Sequence, residues 1–225
     1  VPDLLLWDVD ETLVTTAGAG ERSIVRSARK HWLVEVDLSI IPYAGCTDRR
    51  IGHLICKHFG IAEDECTMGA YLDDFVKFVT EEIADSDAHI LPGASEIVEA
   101  IHASSVHRQG LLTGNLRSAA EAKLVPFALW KYFSFGAFAD DAIERLDLGP
   151  VAMARASEHC GTAFAREEVI VIGDTPHDIA CARSIGARSL AVASGRFTLD
   201  QLAECEPTCL VLSLNEPSAL SFLSL

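Results

Sequence analysis

Positive charge is scarce in this chain. Lys and Arg number 18 against 33 Asp and Glu over 225 residues, a formal net charge of −15. A nucleic-acid backbone demands stripes of Lys and Arg, so nucleic acid is excluded as the main partner, and an anionic membrane surface for the same reason. Long apolar runs are missing too: none reaches the roughly 20 residues that span a bilayer. The leading "VPDLLLWDVD" is too short and too soon charged for a signal peptide. The first residue is Val1, not Met, which leaves the native start open. There is no Cys-x-x-Cys pair. Cys46, Cys56, Cys66, Cys160, Cys181, Cys205 and Cys209 are odd in number and widely spaced, whereas zinc sites and disulfide frameworks show paired spacings. Reduced, mostly buried thiols in a cytoplasmic protein are expected. Internal repeats and low-complexity tracts are also missing.

What is there is an ordinary globular composition, 49% hydrophobic and 23% charged, on a chain long enough for one large domain or one domain with an insertion. Short apolar runs recur at Leu4–Trp7, Gly110–Leu112, Val169–Ile172, Ser189–Ala193 and Cys209–Leu214. Helix-like segments such as "SAAEAKLVPFAL", "LGPVAMARASEHC" and "HDIACARSIGA" lie among the later runs. Short buried strands alternating with helices predict a Rossmann-like α/β core, a parallel sheet with helices on both faces. Residues 17–90 read differently. "GERSIVRSARKHWLV", "DRRIGHLICKHFGI" and "GAYLDDFVKFVTEEIADS" are helical and contain no buried strand. The expected organisation is a core of residues 1–16 and 91–225 interrupted by a helical unit of residues 17–90, with Pro92-Gly93 marking the return.

Two pairs of carboxylates stand at strand ends. Asp8 and Asp10 close the first apolar run, and Asp174 and Asp178 follow "VIVIG". Functional residues of open α/β sheets gather at the C-terminal ends of the strands. If the two strands are neighbours, four carboxylates converge, and such a cluster repels itself unless a cation neutralises it. Mg2+ takes carboxylate oxygens, waters and a substrate phosphate, so the cluster implies this metal and an oxyanionic substrate. With the charge screened, one aspartate can attack phosphorus and another can protonate the leaving oxygen and then activate water. The rest of a phosphoryl-transfer site is expected in "LLTGNLRSAAEA", where Thr113 offers a hydroxyl and Gly114 and Asn115 offer backbone N–H groups at a helix start. Arg145 is the candidate balancing cation.

In this order, "DVDETL" (Asp8–Leu13), "LLTGN" (Leu111–Asn115) and "GDTPHD" (Gly173–Asp178) resemble the motifs of the haloacid dehalogenase superfamily. The resemblance covers most of the chain, including a helical cap between the first two motifs. "YAGCTDRRI" and "GDTPHDIACARSIGA" look most like its phosphoglycolate-phosphatase-like branch. It implies that Asp8 is the nucleophile and Asp10 the general acid/base. Asp8, the backbone carbonyl of Asp10 and Asp174 would hold Mg2+, with Asp178 helping directly or through water, and Thr113 would hold the transferring phosphoryl group. An acid at position 10 favours a phosphatase over carbon–halogen cleavage. Two departures stand out. Glu11 replaces the usual glycine and adds charge unless its side chain turns outward. Arg145 replaces the usual third-motif lysine, keeping the charge without its compact geometry.

Duller roles compete for some positions. Asp178 can cap the helix that follows, and Thr113 and Asn115 can do the same for theirs. His177 reads as a loop side chain beside the site. In the cap, Gly45 would let a loop approach closely, and Arg49 or Arg50 could meet a substrate carboxylate or merely begin a helix. Lys30, Lys57 and Lys77 read as surface positions, none in a motif suited to Schiff-base chemistry. The reading is a Mg2+-dependent phosphatase of a small phosphomonoester, with phosphoglycolate the first substrate to try, in a monomer or homodimer. The alternatives are a phosphomutase and a non-catalytic binder of phosphoryl ligands.

Overall fold

The computed structural model describes residues 3–104 and 106–225; Val1 and Pro2, at the head of the segment assigned to the core, and Ser105 within it lie outside the described residues. In chain order the elements are β1 (Leu4–Trp7), β2 (Val14–Thr15), α1 (Ala19–Trp32), α2 (Asp48–Phe59), α3 (Glu65–Ala84), β3 (His89–Ile90), α4 (Ala94–Ala103), β4 (Arg108–Leu112) and α5 (Arg117–Leu124). There follow β5 (Gly136–Ala137), α6 (Arg145–Cys160), β6 (Val169–Gly173), α7 (Pro176–Ile185), β7 (Arg188–Val192), α8 (Leu199–Ala203), β8 (Cys209–Val211) and α9 (Pro217–Phe222).

Six strands form one sheet in the order β5-β4-β1-β6-β7-β8, and every pairing is parallel. The apolar "LLLW" of β1 is wholly buried because it lies in the middle of this sheet with both faces covered. Its side chains divide by the two-residue period of a strand. Leu5 and Trp7 pack with Ile97, Val98 and Ile101 of α4 and Leu124 of α5. Leu4 and Leu6 pack on the opposite face with Leu148, Ala152 and Ala156 of α6 and Cys181 and Ala182 of α7. This is the parallel, doubly covered sheet expected from the alternation of runs.

The chain leaves the sheet through β2 and returns through β3. These pair antiparallel with Val14 opposite Ile90 and Thr15 opposite His89, so two short strands carry the insertion. The insertion is helical, as its periodicity predicts. Ile24 and Ala28 of α1, Ile51 and Ile55 of α2, and Tyr71, Phe75 and Val79 of α3 bury one shared core, and Trp32 stacks on Tyr71 at 4.4 Å between ring centroids. Leu116, Ala119 and Ala139 of the sheet domain join that core, which seats the cap beside the strand ends. Among the described residues no helix is long and apolar enough to cross a membrane, and all seven cysteines are unpaired.

Candidate active site

The strand order creates the site. From β1 the chain proceeds outward to β4 and β5 on one side, then crosses to β6 on the other. That reversal opens a crevice at the C-terminal ends of β1 and β6. Asp8 directly follows Trp7 and Asp174 directly follows Gly173. The Asp8 N–H donates to the Ile172 carbonyl at 2.9 Å, which extends the ladder by one residue and holds the carboxyl over the crevice. Asp178 arrives from the first turn of α7. Its Oδ2 accepts from the Thr175 N–H at 3.1 Å and the Thr175 hydroxyl at 2.7 Å, so it also closes the start of that helix. Oxygens of Asp8, Asp174 and Asp178 lie within 4.8 Å of one another, and all three residues are buried.

Burial and crowding make Asp8 and Asp174 reluctant to ionise. Burial is the largest cause of lifting Asp8 to about 6; Arg145 opposes it, and Asp178 and Asp10 add to it. Asp174 is driven to about 9 by burial, then by Asp178, Asp8 and Glu11. A set of hard oxygen donors that keeps protons when no cation is near fits a divalent ion of the Mg2+ type. Arg145, at the start of α6, supplies the fixed charge. Its Nη2 donates to the Leu112 carbonyl at 3.0 Å, lies 3.0 Å from Asp8 Oδ1 and pairs with Asp178 Oδ1. Burial works against the guanidinium, but Asp178 and Asp8 more than offset this and hold it above its ordinary value.

A second, connected group surrounds Asp10. Asn115 Nδ2 donates to Asp10 Oδ2 and to the Thr113 hydroxyl, each at 2.8 Å. Lys123, from the inner face of α5, donates to both Asp10 oxygens at 2.8 and 2.7 Å and to Asn115 Oδ1 at 2.5 Å. Burial opposes the Lys123 charge, but Asp10 and Asp48 prevail and raise it above the usual lysine value. The motif pattern passes over Lys123, yet a signal existed. It follows Ala119 and Ala120 by four and three residues and precedes Leu124, all on the buried face of the helix. A lone lysine on such a face requires a buried partner.

The cap closes the site from above. The loop before α2 lies against the sheet domain: the Asp48 N–H donates to the Gly114 carbonyl at 2.7 Å, and Asp48 Oδ2 accepts from the Leu116 N–H at 2.7 Å. Gly114 has no room for a side chain, since a Cβ would meet the Cys46 carbonyl oxygen. Gly45, at φ +73°, is similarly tight, its missing Cβ position 2.7 Å from His177 Cδ2. A cavity of about 400 Å3 remains between cap and sheet, within the range of small-molecule sites. Asp8, Asp10, Asp174, Gly114, Asn115, Arg145 and Gly45 border it. Thr113 and Asp178 are buried just behind its wall. Arg49 does not border it but pairs with Glu65, and Arg50 reaches Glu144 at 3.5 Å. Glu11 does not turn outward. At φ 54° its backbone takes the left-handed conformation that glycine adopts freely, and its half-buried carboxylate accepts from the Thr15 hydroxyl at 2.7 Å on the cavity rim.

The acidic trio makes stability depend on pH and metal in a definite sense. An Asp carboxyl ordinarily titrates at 3.8, but in the folded protein Asp8 moves to about 6 and Asp174 to about 9. The folded state therefore binds protons more tightly, and this contribution is lost as pH rises through those values. Metal-free protein is expected to melt at a lower temperature at pH 9 than at pH 6. Mg2+ should raise the melting temperature more at pH 9, since binding displaces those protons. Thermal melts with EDTA and with Mg2+ at both pH values check this; an equal Mg2+ effect at the two would contradict it.

Comparison with known proteins agrees with this geometry. The family model described as "Haloacid dehalogenase-like hydrolase" matches residues 5–192. The chain is 26% identical over 226 residues to "Probable phosphatase IndB" of Dickeya dadantii (strain 3937), covering 95% of this chain and 90% of that protein. It superposes along the whole of both chains, with a TM-score of 0.79 and 17% identity, on CbbY from Rhodobacter sphaeroides in complex with phosphate. A structure described as a "predicted phosphoglycolate phosphatase" from Haemophilus somnus 129pt aligns with a TM-score of 0.74 and 17% identity, over 99% of this chain and 97% of that one. With its family model spanning β1 to β7 and its carboxylates gathered at the ends of β1 and β6, this chain belongs to the haloacid dehalogenase-like hydrolases.

Proposed function

We propose that the protein is a Mg2+-dependent phosphatase that hydrolyses a small phosphomonoester through an aspartyl-phosphate on Asp8. The observation that carries this reading is the buried trio of Asp8, Asp174 and Asp178, with Arg145 beside it, at the cavity between cap and sheet. Asp8, the Asp10 carbonyl, Asp174 and Asp178 would hold the metal, which when bound supplies charge neutralisation for both the acids and the phosphoryl oxygens.

In this reading Asp8 attacks phosphorus, and the Asp8–Arg145 contact aims its carboxylate. The Thr113 hydroxyl accepts from the Asn115 N–H at 3.3 Å and from its side chain. Its own proton is left to donate to a phosphoryl oxygen, beside the N–H group of Gly114. Asp10 is held by Lys123 and Asn115. Its side chain stays 38% exposed, so it can leave them, take a proton from solvent, give it to the leaving oxygen and then take one from the attacking water. The cap loop seated on Gly114 and Leu116 excludes bulk water meanwhile.

Phosphoglycolate enters the substrate panel on the motif resemblance; the cap arginines lend it no support, since Arg49 and Arg50 are paired away from the cavity. A cytoplasmic setting is supported by the seven unpaired cysteines. The test is phosphate release from phosphoglycolate, sugar phosphates and nucleotides, with Mg2+ and with EDTA. Release that requires Mg2+ is expected from at least one ester. Isomerisation without net release would point to a mutase, and binding without turnover to a non-catalytic protein.

A further inference from the structure

The part of the cavity away from Asp8 has its own chemistry. Its floor is apolar, from Ile24 of α1, Ile51 of α2 and Phe75 of α3. Its polar wall is a triad assembled from three separate segments. The Tyr43 hydroxyl donates to Glu21 Oε1 at 3.1 Å, the Arg196 guanidinium donates to the Tyr43 hydroxyl, and Arg196 lies 3.6 Å from Glu21. Glu21 belongs to the first turn of α1, where a negative charge is favoured by the helix dipole.

Among the described residues, each cation bordering this cavity already faces an acid. Lys123 is bound to Asp10 and Asn115, Arg145 to Asp8 and Asp178, and Arg196 to Tyr43 and Glu21. The cavity is bordered by Asp8, Asp10, Glu11, Glu21, Asp48 and Asp174 against Lys123, Arg145 and Arg196. Acids outnumber cations by three, so a bound divalent ion would leave the wall with no surplus of positive charge. An ester carrying a carboxylate beside its phosphate would bring a further negative charge to a wall whose cations already face acids.

Resting on the phosphatase reading above, we propose that the leaving group is an uncharged, hydroxyl-bearing alcohol, with Glu21 as the residue that selects it. Such an alcohol packs its carbon skeleton on Ile24, Ile51 and Phe75 and donates its hydroxyls to the Glu21 carboxylate. A carboxylated alcohol of the same size is rejected by that charge. The selection acts on the leaving group alone and leaves the phosphoryl chemistry at Asp8 untouched.

The experiment compares kcat/KM for two matched pairs in Mg2+. Glycerol 1-phosphate is set against 3-phosphoglycerate, and 2-hydroxyethyl phosphate against phosphoglycolate; each pair differs by a CH2OH in place of a carboxylate. The uncharged member is expected to be preferred at least about tenfold in both pairs. In Glu21→Gln, which keeps an acceptor for the tyrosine, the ratio is expected to shrink because the carboxylated member improves. Metal-dependent release that is equal or better with the carboxylated members overturns the proposal while leaving the phosphatase reading intact, and so does a ratio unchanged in Glu21→Gln. No metal-dependent release from any of the four esters, nor from the wider panel, overturns the phosphatase reading and this proposal together.

Discussion

Replacing Asp8 with asparagine is expected to lower phosphate release by roughly 10⁴-fold or more while the protein stays folded. The asparagine amide occupies the same space at the end of β1 but cannot attack phosphorus. Folding should survive because the Asp8 charge is not a source of stability here. Burial and the neighbouring acids raise this carboxyl to about 6, so its ionised form is the disfavoured one. A neutral residue relieves the repulsion from Asp178 and Asp10 that contributes to that shift. Circular dichroism and a thermal melt establish folding, and phosphate release on the best ester reads the chemistry. Turnover within about tenfold of wild type, by folded Asp8→Asn, would remove Asp8 from the reaction.

The second large effect is expected at Arg145. It is 5% exposed and holds Asp8, Asp178 and the Leu112 carbonyl together. Arg145→Met keeps much of the volume and removes the charge, leaving Asp8 and Asp178 buried without their counterion. Breaking a buried pair in this way costs about 3–5 kcal/mol. Urea denaturation in EDTA should show that loss, and Mg2+ should restore part of it by standing in for the missing charge. Arg145→Lys keeps the charge but not the planar guanidinium whose Nη2 meets Asp8, Asp178 and the Leu112 carbonyl, so it should lose part of the stability and less than Arg145→Met. A methionine variant as stable as wild type in EDTA would mean that the acids are protonated and need no counterion.

Much of this fold is legible because its strands are buried on both faces and therefore read as unbroken apolar runs. Leu4–Trp7, Val169–Gly173 and Arg188–Val192 are of this kind. β5 is only Gly136–Ala137, too short to carry a pattern, and the pairing of β2 with β3 is likewise two residues long. Asp8, Thr113 and Asp174 are visible as polar residues that end apolar runs, and the sheet order explains why Asp8 and Asp174 meet. Asp178 shows why cap and acid-cluster roles cannot be separated by spacing alone, since its two oxygens serve Thr175 and Arg145 at once.

The rest of the site has no local signature. Tyr43 meets Glu21 across 22 residues within the cap and Arg196 across 153, and only the seating of the cap on the sheet brings Arg196 to the other two. Arg49 carries the opposite lesson. A bidentate cation in a loop before a helix invites a substrate contact, but in α2 its first-turn position directs it to Glu65 at the start of α3. Glu11 is a third kind of case. A position that suits glycine by its φ of 54° is filled by an acid that reaches the cavity rim, and nothing in the spacing distinguishes that from a solvent-facing side chain.

The measurement that bears most directly on the central claim is chemical trapping of the acyl phosphate. The enzyme is mixed with its best ester and Mg2+, quenched, and treated with borohydride, which reduces an aspartyl-phosphate to an alcohol; the peptides are then mapped by mass spectrometry. Asp10→Asn, which on the proposed mechanism cannot activate water for the second step, should accumulate the intermediate and strengthen the signal. The expected result is reduction at Asp8 alone, dependent on substrate and on Mg2+. Reduction at another carboxylate, or none from enzyme that turns the ester over and from Asp10→Asn alike, would contradict covalent catalysis by Asp8.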